Sequence, residues 1–233
     1  MELHKWFANN EMLLENVHTE DQGYQFGDSY KDTVKTFGLR WNPKEDCFNF
    51  TITPSASVPT KRTVLADIAK LFDPLGFLEP VIVEAKVYLQ TLWLQKIEWD
   101  QELPHQEKVK WETLRDCVDD LINVRIHRFI LIDSIKLLEL HSFSDASKDV
   151  FGAVVYRRCV TILNHVKVSL LCSKSKVTPL KSVTIPRLEL CASELLSKLI
   201  FKAVSSLNLK IDKTYLYSCS AIVLTWINIT AFA

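Results

Sequence analysis

Three side chains that could meet at a metal site lie at the ends of predicted elements in the second half of the chain. Asp145 ends a predicted strand, Glu189 lies in the first turn of a predicted helix, and Cys219 ends a later strand. These positions can converge where a helix packs across a sheet. Carboxylates at such a point can hold two divalent ions, about 3.5 to 4 Å apart, for phosphodiester cleavage. Mg²⁺ is a hard ion and needs their oxygen ligands.

Each of the two carboxylates also has a structural interpretation. An aspartate at the end of a strand, before Ala-Ser, is commonly a turn or capping residue. A glutamate near a helix N-terminus interacts favourably with the helix dipole. Asp145 and Glu189 therefore indicate catalysis only together with further evidence.

The elements that would position these residues begin at about residue 137. Short apolar runs between turn signals predict strands, and a longer run at helical spacing predicts a helix. Thr184 as a cap and Pro186 near the first position are typical of a helix start. The predicted order is strands at 137–143, 152–156 and 166–172, a helix at 186–207, a strand at 214–218 and a helix from 221. This order predicts an α/β (α+β) fold around a mixed sheet.

The first 130 residues predict a hairpin and several helices. The hairpin strands, at 34–41 and 47–52, flank the segment N-P-K-E-D at 42–46, which has the composition of a turn. Apolar residues at helical spacing predict helices at 5–17, 60–71, 79–97 and 106–124.

Composition limits the partners and the compartment. With 28 basic and 28 acidic residues the formal net charge is zero, which argues against tight autonomous binding of nucleic acid. No run reaches the roughly 18 to 20 apolar residues that a membrane span needs. The six cysteines lack zinc-site spacing, so we expect reduced thiols in an intracellular protein of the cytoplasm or nucleus. A local basic cluster near the proposed site is either ordinary surface or a phosphate-contacting face; it consists of Lys174, Lys176, Lys181 and Arg187.

An ordered set of segments carries a family resemblance. They are L-H-K-W-F-A-N (3–9), F-G-L-R-W (37–41), D-C-F-N-F (46–50), T-K-R-T-V-L (60–65), I-A-K-L-F-D-P-L-G (68–76), F-S-D-A-S (143–147), G-A-V-V-Y (152–156), S-K-S-K-V (173–177) and T-I-P-R-L-E-L (184–190). With these segments the chain resembles the polyprotein of BEL/Pao-type retrotransposons, the Pao retrotransposon peptidase family region, along nearly its whole length.

The resemblance implies three regions and a metal site. Residues 1–60 resemble the end of a reverse-transcriptase palm, 61–130 its helical thumb and connection, and 137–233 an RNase H-like domain. The apolar run at 221–233 has no polar tail, so this domain is expected to be truncated. Asp145 and Glu189 match the first two carboxylates that bind Mg²⁺ in the ancestral enzyme. The third belongs to an S-D-S motif, which here reads Ser218-Cys219-Ser220.

This departure predicts that the chain has no RNase H turnover. A thiol is a soft ligand with a pKa of about 8.5, so it is mostly neutral at pH 7 and a poor partner for Mg²⁺. Polymerase activity is not expected either, because the one adjacent aspartate pair, Asp119-Asp120, falls on a predicted helix face. Peptidase activity is not supported, since no Asp-Ser/Thr pair is followed by Gly.

Three functional hypotheses follow. The first is an inactive fragment of a retrotransposon polyprotein, whose partners would be the rest of that polyprotein. The second is a co-opted module on the same fold that binds nucleic acid, such as an RNA/DNA hybrid, or another partner. The third is a live metal-dependent RNase H nuclease in which Asp145, Glu189 and a compensating group hold the metal. Salt-dependent hybrid binding separates the first two hypotheses, and metal-dependent cleavage identifies the third.

Overall fold

The computed structural model describes residues 5–23, 33–36, 39–50 and 57–230. Within these ranges the chain forms two four-stranded sheets and five α-helices. The predicted mixed α/β (α+β) class is confirmed.

The first sheet is antiparallel and contains one strand that the sequence did not predict. Its order is β1 (Val34–Thr36), β2 (Leu39–Asn42), β3 (Cys47–Asn49) and β4 (Arg125–His127). The predicted hairpin turn at 42–46 is confirmed, because Asn42 lies opposite Cys47. The single predicted strand at 34–41 is wrong, since the chain reverses within it and Val34 pairs with Trp41. The end of the predicted strand at 51–52 lies outside the described residues.

Three helices follow the hairpin, as predicted: α1 (Lys61–Ala69), α2 (Glu79–Leu94) and α3 (His105–Asp119). Thr60 starts α1 with a capping box, in which its hydroxyl accepts from the Thr63 N–H. The helices bury a common core that includes Val64, Leu92 and Trp111. The predicted helix at 5–17 is wrong, because its described residues contain only a short 3₁₀ turn at Glu11–Leu14.

The second sheet is mixed, and a long helix covers one of its faces. After β5 (Ile135–Ala146), β6 (Val150–Thr161) and β7 (Val166–Val177), the chain forms α4 (Ile185–Leu207), β8 (Lys213–Ser218) and α5 (Ala221–Thr230). The strand order is β7-β6-β5-β8; β5 and β8 run parallel, and the other pairs are antiparallel. Leu140, Val155 and Cys172 pack against Ile200 of α4. Thr184 occupies the N-cap position of α4 but makes no capping hydrogen bond through its side chain, so that part of the prediction is wrong.

A turn before α2 joins the helical segment to the edge of this sheet. The Asp73 carboxylate accepts from the backbone N–H groups of Phe77 and Leu78, at 2.9 and 2.5 Å. Gly76 has a positive φ of 76°, and a Cβ there would lie 2.0 Å from the Ser173 carbonyl oxygen. The Ser173 N–H donates to the Leu75 carbonyl at 2.9 Å. Backbone contact, which only glycine permits at this position, therefore holds α2 against β7.

The guanidinium of Arg157 lies under α4 without a carboxylate partner among the described residues. The residue is 1% exposed. It donates to the Cys159 sulfur at 2.8 Å and to the Ser169 hydroxyl at 2.6 Å, while its Nε has no partner. A buried charge with only neutral partners is costly, because it has lost its hydration without gaining an opposite charge.

Arg157→Met should therefore raise the free energy of unfolding by about 1 kcal/mol, since it removes this charge and keeps most of the volume. The neighbouring Arg158→Met is the matched control. Arg158 donates to the buried Glu139 carboxylate at 2.7 Å, so its loss should cost about 1 to 3 kcal/mol. Urea denaturation measures both variants. If Arg157→Met were as destabilising as Arg158→Met, the interpretation of Arg157 would be wrong.

Candidate functional site

The parallel pairing of β5 with β8 brings two of the predicted site residues into contact. Ser144 of β5 lies opposite Ser218 of β8. The residues that follow them, Asp145 in β5 and Cys219 just after β8, are therefore neighbours at this end of the sheet. The Cys219 sulfur lies 3.5 Å from Asp145 Oδ1, and both residues are exposed.

Glu189 reaches the same end of the sheet from near the start of α4; the predicted position in the first turn is wrong, because the helix begins at Ile185 and has no acidic residue in its first turn. Its Oε2 accepts a hydrogen bond from the Ser220 hydroxyl at 2.5 Å, immediately beside Cys219. The structure thus gathers Asp145, Glu189 and Cys219 at one place, as the element order predicted. Each carboxylate nevertheless has a local partner of its own, because Asp145 Oδ1 also accepts from the Ala146 N–H at 2.8 Å.

Ser220 is the residue of this site that sequence reasoning missed. It is 5% exposed, and its oxygen accepts from the Val223 N–H at 3.2 Å in the first turn of α5. It therefore caps α5 while donating to Glu189. A serine immediately before an apolar helix is an N-cap signal, so the sequence contained the evidence for its role.

The thiol of Cys219 is held in its protonated form. The hydrogen bond to Asp145 raises the pKa of Cys219, the negative charge of Asp145 raises it further, and the charge of Glu189 adds a smaller contribution. A thiol that donates to a carboxylate loses that bond when it ionises. Across the described part of the chain, no three His, Cys, Asp or Glu side chains are arranged to hold one metal ion.

A cleft of about 530 Å³ opens beside Asp145, between the second sheet and the start of α2. Gly76 and Phe77 line one wall, and Phe143 and Tyr156 line the other. At the rim, Lys174 Nζ lies 3.7 Å from the buried carboxylate of Glu79. The cleft therefore combines an apolar floor with charged groups at its border.

The four predicted basic residues are exposed around this end of the fold. Lys174 and Lys176 lie on the edge strand β7, Lys181 lies in the following loop, and Arg187 lies in the first turn of α4. The positive charges of Lys174 and Lys176 are partly offset by nearby carboxylates. Lys174 lies near Glu79, and the charge of Lys176 contributes, after Lys198, to lowering the pKa of Glu194. Lys181 and Arg187 have no ion pair among the described residues.

The adjacent aspartates lie elsewhere, as predicted. Asp119 ends α3 and Asp120 begins a short 3₁₀ turn, and both are exposed. They are not on a hairpin of the kind that a polymerase site needs, so the structure gives them the solvated position that the sequence predicted.

The link between Cys219 and Asp145 makes a prediction about thiol reactivity. Asp145→Asn removes the negative charge that raises the pKa of Cys219, so the pKa should fall towards its ordinary value. The pH-rate profile for alkylation of Cys219 by iodoacetamide, followed by peptide mass spectrometry, should then shift to lower pH. Cys117, which is also exposed, is the internal control and should not shift. If the pH-rate profile of Cys219 alkylation were unchanged, the hydrogen bond between Cys219 and Asp145 would be contradicted.

Comparison with known proteins identifies the chain at the level of family. A family model described as the Pao retrotransposon-like RNaseH-like domain matches residues 60–220, from the N-cap of α1 to the N-cap of α5. No curated protein matches the chain. None of the helices in the described residues has the length and hydropathy needed to cross a membrane.

Two solved structures of a foamy viral protease-reverse transcriptase are similar to the chain. The dRH form in complex with double-stranded DNA has 15% sequence identity and a TM-score of 0.42, over 87% of this chain and 36% of its own. The other, also with double-stranded DNA, has 12% identity and a TM-score of 0.41, over 85% and 39%. The chain spans little more than a third of the length of these proteins. By the match over residues 60–220, it belongs to the Pao retrotransposon-like RNaseH-like domain family.

Proposed function

We propose that this Pao-type RNase H-like region, part of a retrotransposon polyprotein, does not hydrolyse the RNA strand of an RNA/DNA hybrid. One observation carries the proposal. The position at which the family resemblance expects an aspartate holds Cys219, whose protonated thiol lies 3.5 Å from Asp145. We assign residues 137–233 to the RNase H-like unit, 1–60 to the end of a reverse-transcriptase palm, and 61–130 to its thumb and connection.

The residues at this site do not fit the Mg²⁺ ions that the family implies. Two-metal hydrolysis needs several anionic oxygen atoms around the ions. Here the sulfur is soft and neutral, and Asp145 Oδ1 already accepts from the thiol. Glu189 Oε2 accepts a hydrogen bond from the Ser220 hydroxyl, and that hydroxyl also caps α5. Asp145 and Glu189 therefore remain as two carboxylates without a third anionic group between them.

Cys219→Asp tests this proposal through metal binding. The added carboxylate should strengthen binding of Mn²⁺ by at least about tenfold, measured by isothermal titration calorimetry. Ser206→Asp introduces a carboxylate at an exposed position of α4, far along the helix from Glu189, and should leave binding unchanged. Asp145→Asn in the Cys219→Asp background should abolish the gain.

The same proteins are then assayed for cleavage of an RNA/DNA hybrid. The wild-type chain should release no product with Mg²⁺ or Mn²⁺. Manganese-dependent cleavage by the wild type that disappears in Asp145→Asn would contradict the proposal and support a live nuclease instead.

A second function, binding of an RNA/DNA hybrid without cleavage, is favoured by the exposed basic residues at the end of the second sheet where Asp145 lies. Lys176, Lys181 and Arg187 present positive charge beside the end of the sheet where Asp145 lies. Phosphate contacts of this kind position a duplex without reading its sequence. The zero net charge of the chain means that such binding would depend on this local cluster.

Neutralising this cluster in the triple variant Lys176→Ala, Lys181→Ala, Arg187→Ala tests the second function. If the wild type binds a hybrid, the slope of log K against log salt should become shallower by about one for each phosphate that the variant no longer binds. Lys174 is left intact because it lies beside the buried Glu79 carboxylate. The control combines three exposed lysines, in Lys44→Ala, Lys96→Ala, Lys202→Ala. Equal slopes for both triple variants would exclude the cluster as the binding face.

A further inference from the structure

Helix α2 and strand β7 form the principal contact between the helical segment, α1 to α3, and the second sheet. The turn before α2 meets the strand through main-chain atoms. The Ser173 N–H donates to the Leu75 carbonyl at 2.9 Å, and the Ser173 hydroxyl donates to the Gly76 carbonyl. A Cβ at residue 76 would overlap the Ser173 carbonyl. The fit therefore depends on the backbones of both segments, and neither can move away without losing these hydrogen bonds.

A buried carboxylate is the second point of attachment. Glu79, the first residue of α2, is 5% exposed. Its partners among the described residues come from β7, because the Ser175 hydroxyl donates to it and Lys174 Nζ lies 3.7 Å away. A buried charge needs such partners, since it has lost its hydration. The charge of Glu79 is therefore compensated by the other segment of the chain.

A third attachment lies further along α2 and leads towards Asp145. Gln90, about 16 Å along the helix axis from its first residue, donates to the Thr178 carbonyl at 2.8 Å. Thr178 is itself 8% exposed. Its N–H and hydroxyl donate to the carbonyls of Asp149 and Lys148, at 2.9 and 2.8 Å. These two residues form part of the turn between β5 and β6, so α2 supports the turn that follows Asp145.

The stretch of chain that connects the two parts contains no helix or strand. It runs from residue 128 to residue 134, between the end of β4 and the start of β5. Phe129 in this stretch is 56% exposed. The family resemblance separates 61–130 from 137–233, whereas the family model covers both parts, from 60 to 220.

We propose that the helical segment and the second sheet are one structural unit, which the contact of α2 with β7 holds together even when the connecting stretch is cut. The helices are then a permanent support of the turn beside Asp145 and not a separate domain. A polyprotein cleaved within 128–134 would keep this region as a complex of two chains. This proposal does not depend on whether the region hydrolyses RNA.

Cleavage of the connecting stretch tests the proposal. The recognition site of a specific protease is inserted after Phe129 in the full chain. The cleaved protein is then examined by size-exclusion chromatography over a dilution series. The two fragments should elute together in the micromolar range. If they separate in that range, the contact does not hold the parts together and the proposal is overturned.

Gly76→Ala tests whether the contact described above joins the fragments. The added Cβ would meet the Ser173 carbonyl at a residue whose φ is 76°. The concentration at which the cleaved fragments dissociate should therefore rise by at least about tenfold. Gly152→Ala is the matched control and should leave dissociation unchanged, because a Cβ there makes only ordinary contacts, the nearest at 3.5 Å. Equal effects of the two substitutions would contradict the proposal.

A milder substitution, Gln90→Met, decides the matter if Gly76→Ala does not fold. It removes the donor to Thr178 and keeps the length of the side chain. The dissociation concentration should rise by about threefold to tenfold. Gln106→Met, at an exposed position of α3, is the control, and circular dichroism before cleavage establishes that each variant is folded. If Gln90→Met dissociates no more readily than Gln106→Met, α2 does not join the fragments and the proposal is wrong.

Discussion

The parallel pairing of β5 with β8 is the interaction on which the site depends. Its register places Ser144 opposite Ser218, near the end at which both strands finish. The contact between Asp145 and Cys219 follows directly from that register. A shift by one residue would turn each of these side chains to the other face of the sheet. Backbone hydrogen bonds, rather than the site residues themselves, therefore fix where the carboxylate and the thiol meet.

The hydrogen bonds at the site now serve structure. The thiol of Cys219 donates to Asp145, and Ser220 links Glu189 to the first turn of α5. Carboxylates that bind no ion need another partner, since unsatisfied polar groups are costly. Here a thiol and a hydroxyl supply those partners, which is consistent with the proposed absence of hydrolysis.

The sequence predicted that these three residues converge, because their positions follow from the element order, whereas their catalytic role stays a prediction. Strand, helix, strand and helix patterns between 137 and 227 were strong enough to place Asp145, Glu189 and Cys219 at one end of a sheet. The strands β6 and β7 were predicted too short, because pairing continues beyond the apolar runs into polar residues such as Lys174 and Lys176.

Other features depend on contacts that no local pattern encodes. Strand β4 has only three residues, and its partner β3 precedes it by all three helices of the first half. Val34 pairs with Trp41, so the segment 34–41 contains two antiparallel strands, which its local pattern does not indicate. Ser220 and Glu189, which are joined by a hydrogen bond, lie 31 residues apart in the chain. The local pattern around Ser220 therefore predicts that it caps α5, but not that it binds Glu189.

The close approach at Gly76 has a consequence for how such a chain can diverge. The spacing between α2 and β7 is set by main-chain atoms, with the Leu75 carbonyl bonded to the Ser173 N–H and no room for a methyl group at residue 76. Side chains along the cleft can therefore be exchanged over evolutionary time without changing its width. A lineage no longer selected for hydrolysis would keep the shape of its cleft after the side chains lining it had changed, provided that Gly76 was retained.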